Sequence, residues 1–153
     1  MANEEAHVRL ALRNQATIDH LRTDAPKYSE WITTVAFYKA LHIVEAVFFR
    51  NGGNHGTDHE DRARRLKEAR YSHIWKHYRP LWAASTVARY LQDTIQRSGS
   101  FNSFAEYMPA GDVDRLILNH YLHQVQQSAR NFLSTKSVTE LGLTPPKPKK
   151  PSS

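Results

Sequence analysis

Residues 31–70 read WITTVAFYKALHIVEAVFFR (31–50), NGGNHG (51–56) and TDHEDRARRLKEAR (57–70), and this succession of apolar run, glycine turn and charged run decides the fold. The first segment is apolar on nearly every face, so it must be covered all round and predicts the central helix of a bundle. Lys39, His42 and Glu45 fall inside it. Three ionisable groups in a run of that length argue against a membrane span and for a protein interior, so no membrane partner is expected. Asn51-Gly52-Gly53 supplies the left-handed C-terminal cap that glycine favours. Thr57-Asp58-His59-Glu60 reads as a capping box. The helix it opens pairs Asp58 with Arg62, Glu60 with Arg64 and Asp61 with Arg65 four residues on, which makes its basic run a solvated face.

Outward from this stretch, residues 4–22 predict a helix capped by Asn3, with Val8, Leu12, Ile18 and Leu21 turned inward. It stops over Thr23 to Pro26, since the residue before proline avoids the helical region. The central helix then runs from about Glu30 to Arg50. A further helix is expected from Tyr71 or Ser72 to about Thr94, with Trp75, Tyr78, Trp82, Ser85 and Arg89 at helical spacing and Pro80 either kinking it or sitting in its first turn. Ser-Gly-Ser, Pro109 and Gly111 punctuate residues 97–112 into an extended connection around a helical piece near Phe104 to Tyr107. Asp112 caps a last helix to about Leu133, with Val113, Leu116, Ile117, Leu122, Val125, Ala129 and Phe132 as its core face. No strand alternates convincingly. The expected fold is all-α: an up-and-down bundle of four to five helices over residues 1–135, with a disordered, Lys/Pro-rich C-terminal tail over 136–153.

At 153 residues the chain is one domain with room for a real core. It has no cysteine, which excludes disulfides and thiolate metal sites and fits a reducing cytosol. The opening MANEEAHVRL is acidic and polar, unlike a signal peptide, so a cytoplasmic location is expected. Of the net charge of +6, the region from Lys136 onward carries +3, through Lys136, Lys147, Lys149 and Lys150 against Glu140. A balance this mild permits nucleic-acid contact without requiring it.

Arg50 and His55 are the pair with a route to chemistry. RNA cleavage by internal transfer needs a base for the 2′-hydroxyl proton, a role that suits histidine. It also needs a cation for the phosphorane charge, a role that suits the arginine fork. His55 lies just before a helix N-terminus, where free amides favour a phosphate. In structural terms alone, Arg50 is a cation at a helix C-terminus and His55 a polar loop residue. Tyr38, His42 and Glu45, at i, i+4 and i+7, form a polar stripe within the apolar helix. The stripe reads as a buried network with Arg89 as partner to Glu45, or as a nucleotide pocket. His55 and His59, His73 and His77, and His120 and His123 have metal-like spacing, but there is no HExxH, so neither metal nor cofactor is expected. There is no glycine-rich phosphate loop and no Ser-His-Asp elbow. No short helix pair presents a basic recognition face.

The run AFYKALHIVEA (36–46), the glycine turn, His59-x-x-Arg62, Tyr78-x-x-Leu81 and Ser85-x-x-x-Arg89-Tyr90 together resemble a HEPN-like domain over residues 30–90. The resemblance implies a helical bundle that acts on or binds RNA or a nucleotide. Many such domains are metal-independent endoribonucleases carrying Arg-(polar)-x-x-x-His, which Arg50-Asn51-Gly52-Gly53-Asn54-His55 matches. It further implies catalytic roles for Arg50 and His55, with Asn51 orienting the turn. Two copies would pair into a composite site, and a protein partner such as an antitoxin would belong to a toxin or defence system. The alternative is a non-catalytic helical interaction module in which the turn is only a turn.

Overall fold

The computed structural model describes residues 3–54 and 56–145, and the fold is all-α. Four long helices make the bundle: α1 (Glu4–Leu21), α2 (Ser29–Gly52), α4 (Ser72–Tyr90) and α6, which runs over residues 110–129. Three short ones close it: α3 (His59–Leu66), α5 (Phe104–Tyr107) and α7 (Thr135–Glu140).

α2 is the axis. Between residues 31 and 49 only Trp31, Val35, Tyr38, His42 and Phe49 reach partly or wholly to the surface, along one stripe, while Phe37, Ile43, Val44 and Phe48 are fully covered. Each such burial contributes about 1.5–3 kcal/mol. Among the described residues α2 lies in the one helix long and apolar enough to cross a bilayer, and 78% of its apolar window is buried in the protein. Gly53 ends it as expected, at φ 74, with its N–H donating to the Phe49 carbonyl at 2.7 Å. α1, capped by Asn3, which accepts from the Ala6 N–H at 2.9 Å, packs most extensively on α2.

Several boundaries move, each for a local reason. The cap of α3 is Asp58 rather than Thr57. Its carboxylate accepts from the Asp61 N–H at 2.8 Å, and Asp61 reaches back to the Thr57 N–H at 3.1 Å, so the reciprocal box is displaced by one residue. Of the three expected surface pairs on α3, Asp61 with Arg65 forms at 3.9 Å, Arg64 turns to Asp61, and Arg62 turns inward. Pro80 lies inside α4, leaving the Lys76 carbonyl without its usual donor. α4 stops at Tyr90, short of Thr94, because Leu91 adopts φ 57 and closes the helix on the Val87 carbonyl. An antiparallel pair follows, β1 (Gln92–Asp93) against β2 (Gly99–Ser100), where no strand was expected.

In α6 the expected Asp112 cap is absent: its side chain takes Arg115 at 2.9 Å. Residues Val113–Leu122 are wound with i→i+5 hydrogen bonds, and the wider turn buries Leu118 while Leu116 is only partly covered. The folded part also extends past residue 136. Ser134 and Ser137 donate to Glu4 at 2.8 and 2.6 Å, Lys136 meets Glu5 at 3.0 Å, and Val138 and Leu143 are buried. The rest of the expected tail, from residue 146, lies outside the described residues.

Candidate nucleic-acid interface

The three polar residues on α2 do not share a partner; each reaches a different element. Tyr38 meets Arg89 of α4, whose Nη1 donates to the tyrosine oxygen at 3.3 Å and whose guanidinium lies over both the Tyr38 and the Tyr90 ring, 5.8 and 5.2 Å from their centroids. His42 meets His7 of α1, with Nδ1 to Nδ1 at 3.1 Å and rings stacked at 5.4 Å. Glu45, only 2% exposed, pairs with Arg62 of α3 through Nε and accepts the Gly56 N–H at 2.6 Å. Arg62, not Arg89, is thus the cation that meets Glu45, because α3 turns its His59–Arg62 face toward α2. Gly56 is required there: a Cβ would stand 2.7 Å from Arg62 Cγ and 3.1 Å from Glu45 Oε1.

The His7–His42 bond needs one Nδ1 bare. Burial, then His7 and Arg62, push the His42 pKa down to about 4 from 6.5. A depressed folded-state value means that the unfolded chain binds more protons between those limits, so stability is present above pH 6.5 and lost as pH falls toward 4. Urea midpoints measured from pH 7 to 4 should therefore fall less steeply in His42→Phe than in the wild type.

Arg62 carries the network outward. Its Nη1 lies 3.1 Å from His59 Nδ1, and the His59 ring stacks on Trp82 with centroids 5.6 Å apart. A guanidinium can only donate, so Nδ1 accepts and the imidazole proton sits on Nε2. Burial, then Arg62 and Arg89, hold His59 below its ordinary pKa, which favours the neutral ring.

His59 lines a groove of about 1060 Å³ between α3, α4 and the β1–β2 loop. Trp75 and Trp82, two turns apart on one face of α4, supply aromatic surface. Arg64, Lys67, Arg79 and Arg97 bring positive charge against Glu60. Arg97 holds φ 57, unusual outside glycine, in a loop organised by buried Asp93. That carboxylate accepts from Gln96 at 2.8 Å, Ile95 at 3.0 Å and the Ser98 hydroxyl at 2.7 Å. Burial works against its charge, yet these bonds outweigh burial and hold its carboxyl below the usual range. A second recess, around Asn54, Arg65 and Arg70, has its charges already matched: Arg64 and Arg65 with Asp61, and Arg70 with Glu68.

Of the expected catalytic residues, Arg50 and Asn51 lie away from this groove. Arg50 pairs with Glu4 at 3.6 Å. Asn51 donates to the Val47 carbonyl at 2.7 Å and the Phe132 carbonyl at 2.8 Å, tying α2 to the residues after α6. His55 lies outside the described residues. Of the metal-spaced pairs, His77 Nδ1 sits 3.2 Å from the His73 carbonyl and its ring meets His120 edge-on. Among the described residues no three His, Asp or Glu side chains gather as a metal ion needs. Comparison of the chain with known protein families, curated proteins and solved structures finds no match.

Proposed function

We propose that this protein binds single-stranded RNA in the groove between α3, α4 and the β1–β2 loop, and that it binds without cutting. The observation that carries this reading is the lining itself: two tryptophans and a stacked histidine, with Lys67, Arg79 and Arg97 against Glu60 and with Arg64 already paired to Asp61. Cations neutralise backbone phosphates and aromatic faces take unstacked bases, the combination used on single strands. The strained backbone at Arg97 supports it, because a cation held at φ 57 persists where its placement matters. The resemblance of residues 30–90 to HEPN-like domains points to the same ligand class.

The ribonuclease reading of the 50–55 turn finds no comparable support. Asn51 spends its amide donors on two backbone carbonyls, and Arg50 is held by Glu4. His59, the histidine in the groove, carries its proton on Nε2 and has its other nitrogen occupied, so it is no base for a 2′-hydroxyl.

Fluorescence anisotropy with a labelled unstructured RNA 12-mer tests the reading. Trp75→Ala and Trp82→Ala should each weaken binding by about 1–3 kcal/mol, roughly 5–150-fold. Arg79→Ala should reduce the slope of log affinity against log salt by about one. Arg97→Gly, which suits the backbone at that position, should weaken binding without lowering the unfolding midpoint. Equal affinity across all four folded variants would overturn the groove as the RNA site.

A further inference from the structure

We infer that His59 is a phosphate-binding donor in this groove: its fixed Nε2–H hydrogen-bonds a phosphate oxygen of the bound strand, and Glu45, Gly56 and Arg62 act behind it as positioning residues. The inference rests on the RNA-binding reading and deepens it.

The chain of contacts runs from the core to the surface. Glu45 is sealed inside, holding both the Gly56 N–H and the Arg62 Nε. That fixes the Arg62 guanidinium, which has no acceptor, so its Nη1 at 3.1 Å from His59 Nδ1 defines which ring nitrogen is bare. Trp82, stacked at 5.6 Å, and Phe37, tilted at 5.9 Å, both pack on the ring and restrict its plane. What faces the groove is therefore a donor with no net charge, set among Lys67, Arg79 and Arg97, the cations that would gather phosphates. An acceptor oxygen fits it, and a donor from the ligand does not. Protonation would forfeit the Arg62 contact and place a third cation beside Arg62 and Arg89, the two that already depress this ring.

Two independent measurements decide the matter. Long-range proton–nitrogen NMR of the free protein at pH 7 should show His59 as the neutral Nε2–H form. The opposite tautomer, or an imidazolium, overturns the inference whatever the protein binds. In the RNA assay, His59→Phe keeps the ring and loses the donor. It should weaken binding about tenfold while leaving the salt slope unchanged, because a neutral donor releases no counterion. His59→Gln, which restores an N–H donor, should recover part of the loss. In the wild type, a methylphosphonate scan should find one linkage whose substitution costs about the same, and that linkage should cost nothing extra in His59→Phe. If the loss follows base identity instead, the acceptor is a base edge and the phosphate assignment falls. Wild-type affinity in His59→Phe, with Trp82→Ala still weakened, overturns the role of His59 alone. No binding by the wild type overturns the RNA reading and this ligand with it, leaving the tautomer to stand or fall on the NMR.

Discussion

Glu45→Ala is expected to destabilise the protein by about 3–5 kcal/mol, the range found when one partner of a buried ion pair is removed. Arg62 would keep its position under α2 with only 12% of its side chain exposed and no carboxylate opposite, and the Gly56 N–H would lose its acceptor. Urea unfolding at pH 7 measures the loss. The origin of the cost is separable. If it comes from the stranded Arg62 charge, then Glu45→Leu combined with Arg62→Met should unfold later than Glu45→Leu alone. A double variant no more stable than the single one would place the cost in packing instead. Because His59 depends on the same arginine, the double variant, which lacks it, should also release the His59 tautomer.

Lys39→Met should do the opposite and stabilise the fold. Lys39 is 4% exposed, and its ammonium makes one hydrogen bond, 2.7 Å to Gln15 Oε1. Burial pushes its pKa down to about 8 from 10.5, with Asp19 offsetting part of the effect. The folded state thus gives up this proton first. Between those limits the unfolded chain binds more protons and stability rises with pH, whereas below pH 8 the wild type carries the full cost of a buried charge. That cost is about 3 kcal/mol at 1.36 kcal/mol per pH unit. Unfolding midpoints of the two proteins compared from pH 7 to 10.5 should show the variant ahead at neutral pH and the gap closing as the pH rises. A gap that does not change with pH would show that Lys39 is not the titrating group.

Both predictions concern residues on α2, and α2 was the most legible part of the chain. An apolar run with glycines after it admits one reading, and Gly53 caps it as expected. The stripe of Tyr38, His42 and Glu45 was legible as a set of groups needing partners, but the partners were not. Arg62 and Arg89 are both arginines at plausible distances in sequence. Only the orientation of α3 after Gly56 decides that Arg62 faces Glu45. The spacing His59-x-x-Arg62 did hold the clue, since residues three apart share a helix face.

The groove was harder to read. Trp75 and Trp82 stood out only by their helical spacing, and they both pack on the core and line the groove, which spacing alone does not tell apart. The missing wall is the β1–β2 loop, two residues per strand, held by the hydrogen bonds of Asp93 rather than by any alternation. Arg97 could not be placed without it. In α6 a period of 3.6 was applied to a segment wound more widely, which put Leu116 in the core and missed Leu118. α7 was invisible for another reason: what holds it comes from the other end of the chain.

That last contact bears on how the molecule assembles. Glu4 and Ser137 meet across 133 positions, and Arg50 joins the same carboxylate. Closing so long a loop brings almost no ordering reward until α1, α2 and α6 have packed. The contact therefore belongs to the native side of the folding barrier and governs how fast the protein comes apart rather than how fast it forms. It works as a clasp, setting the lifetime of the bundle more than its construction.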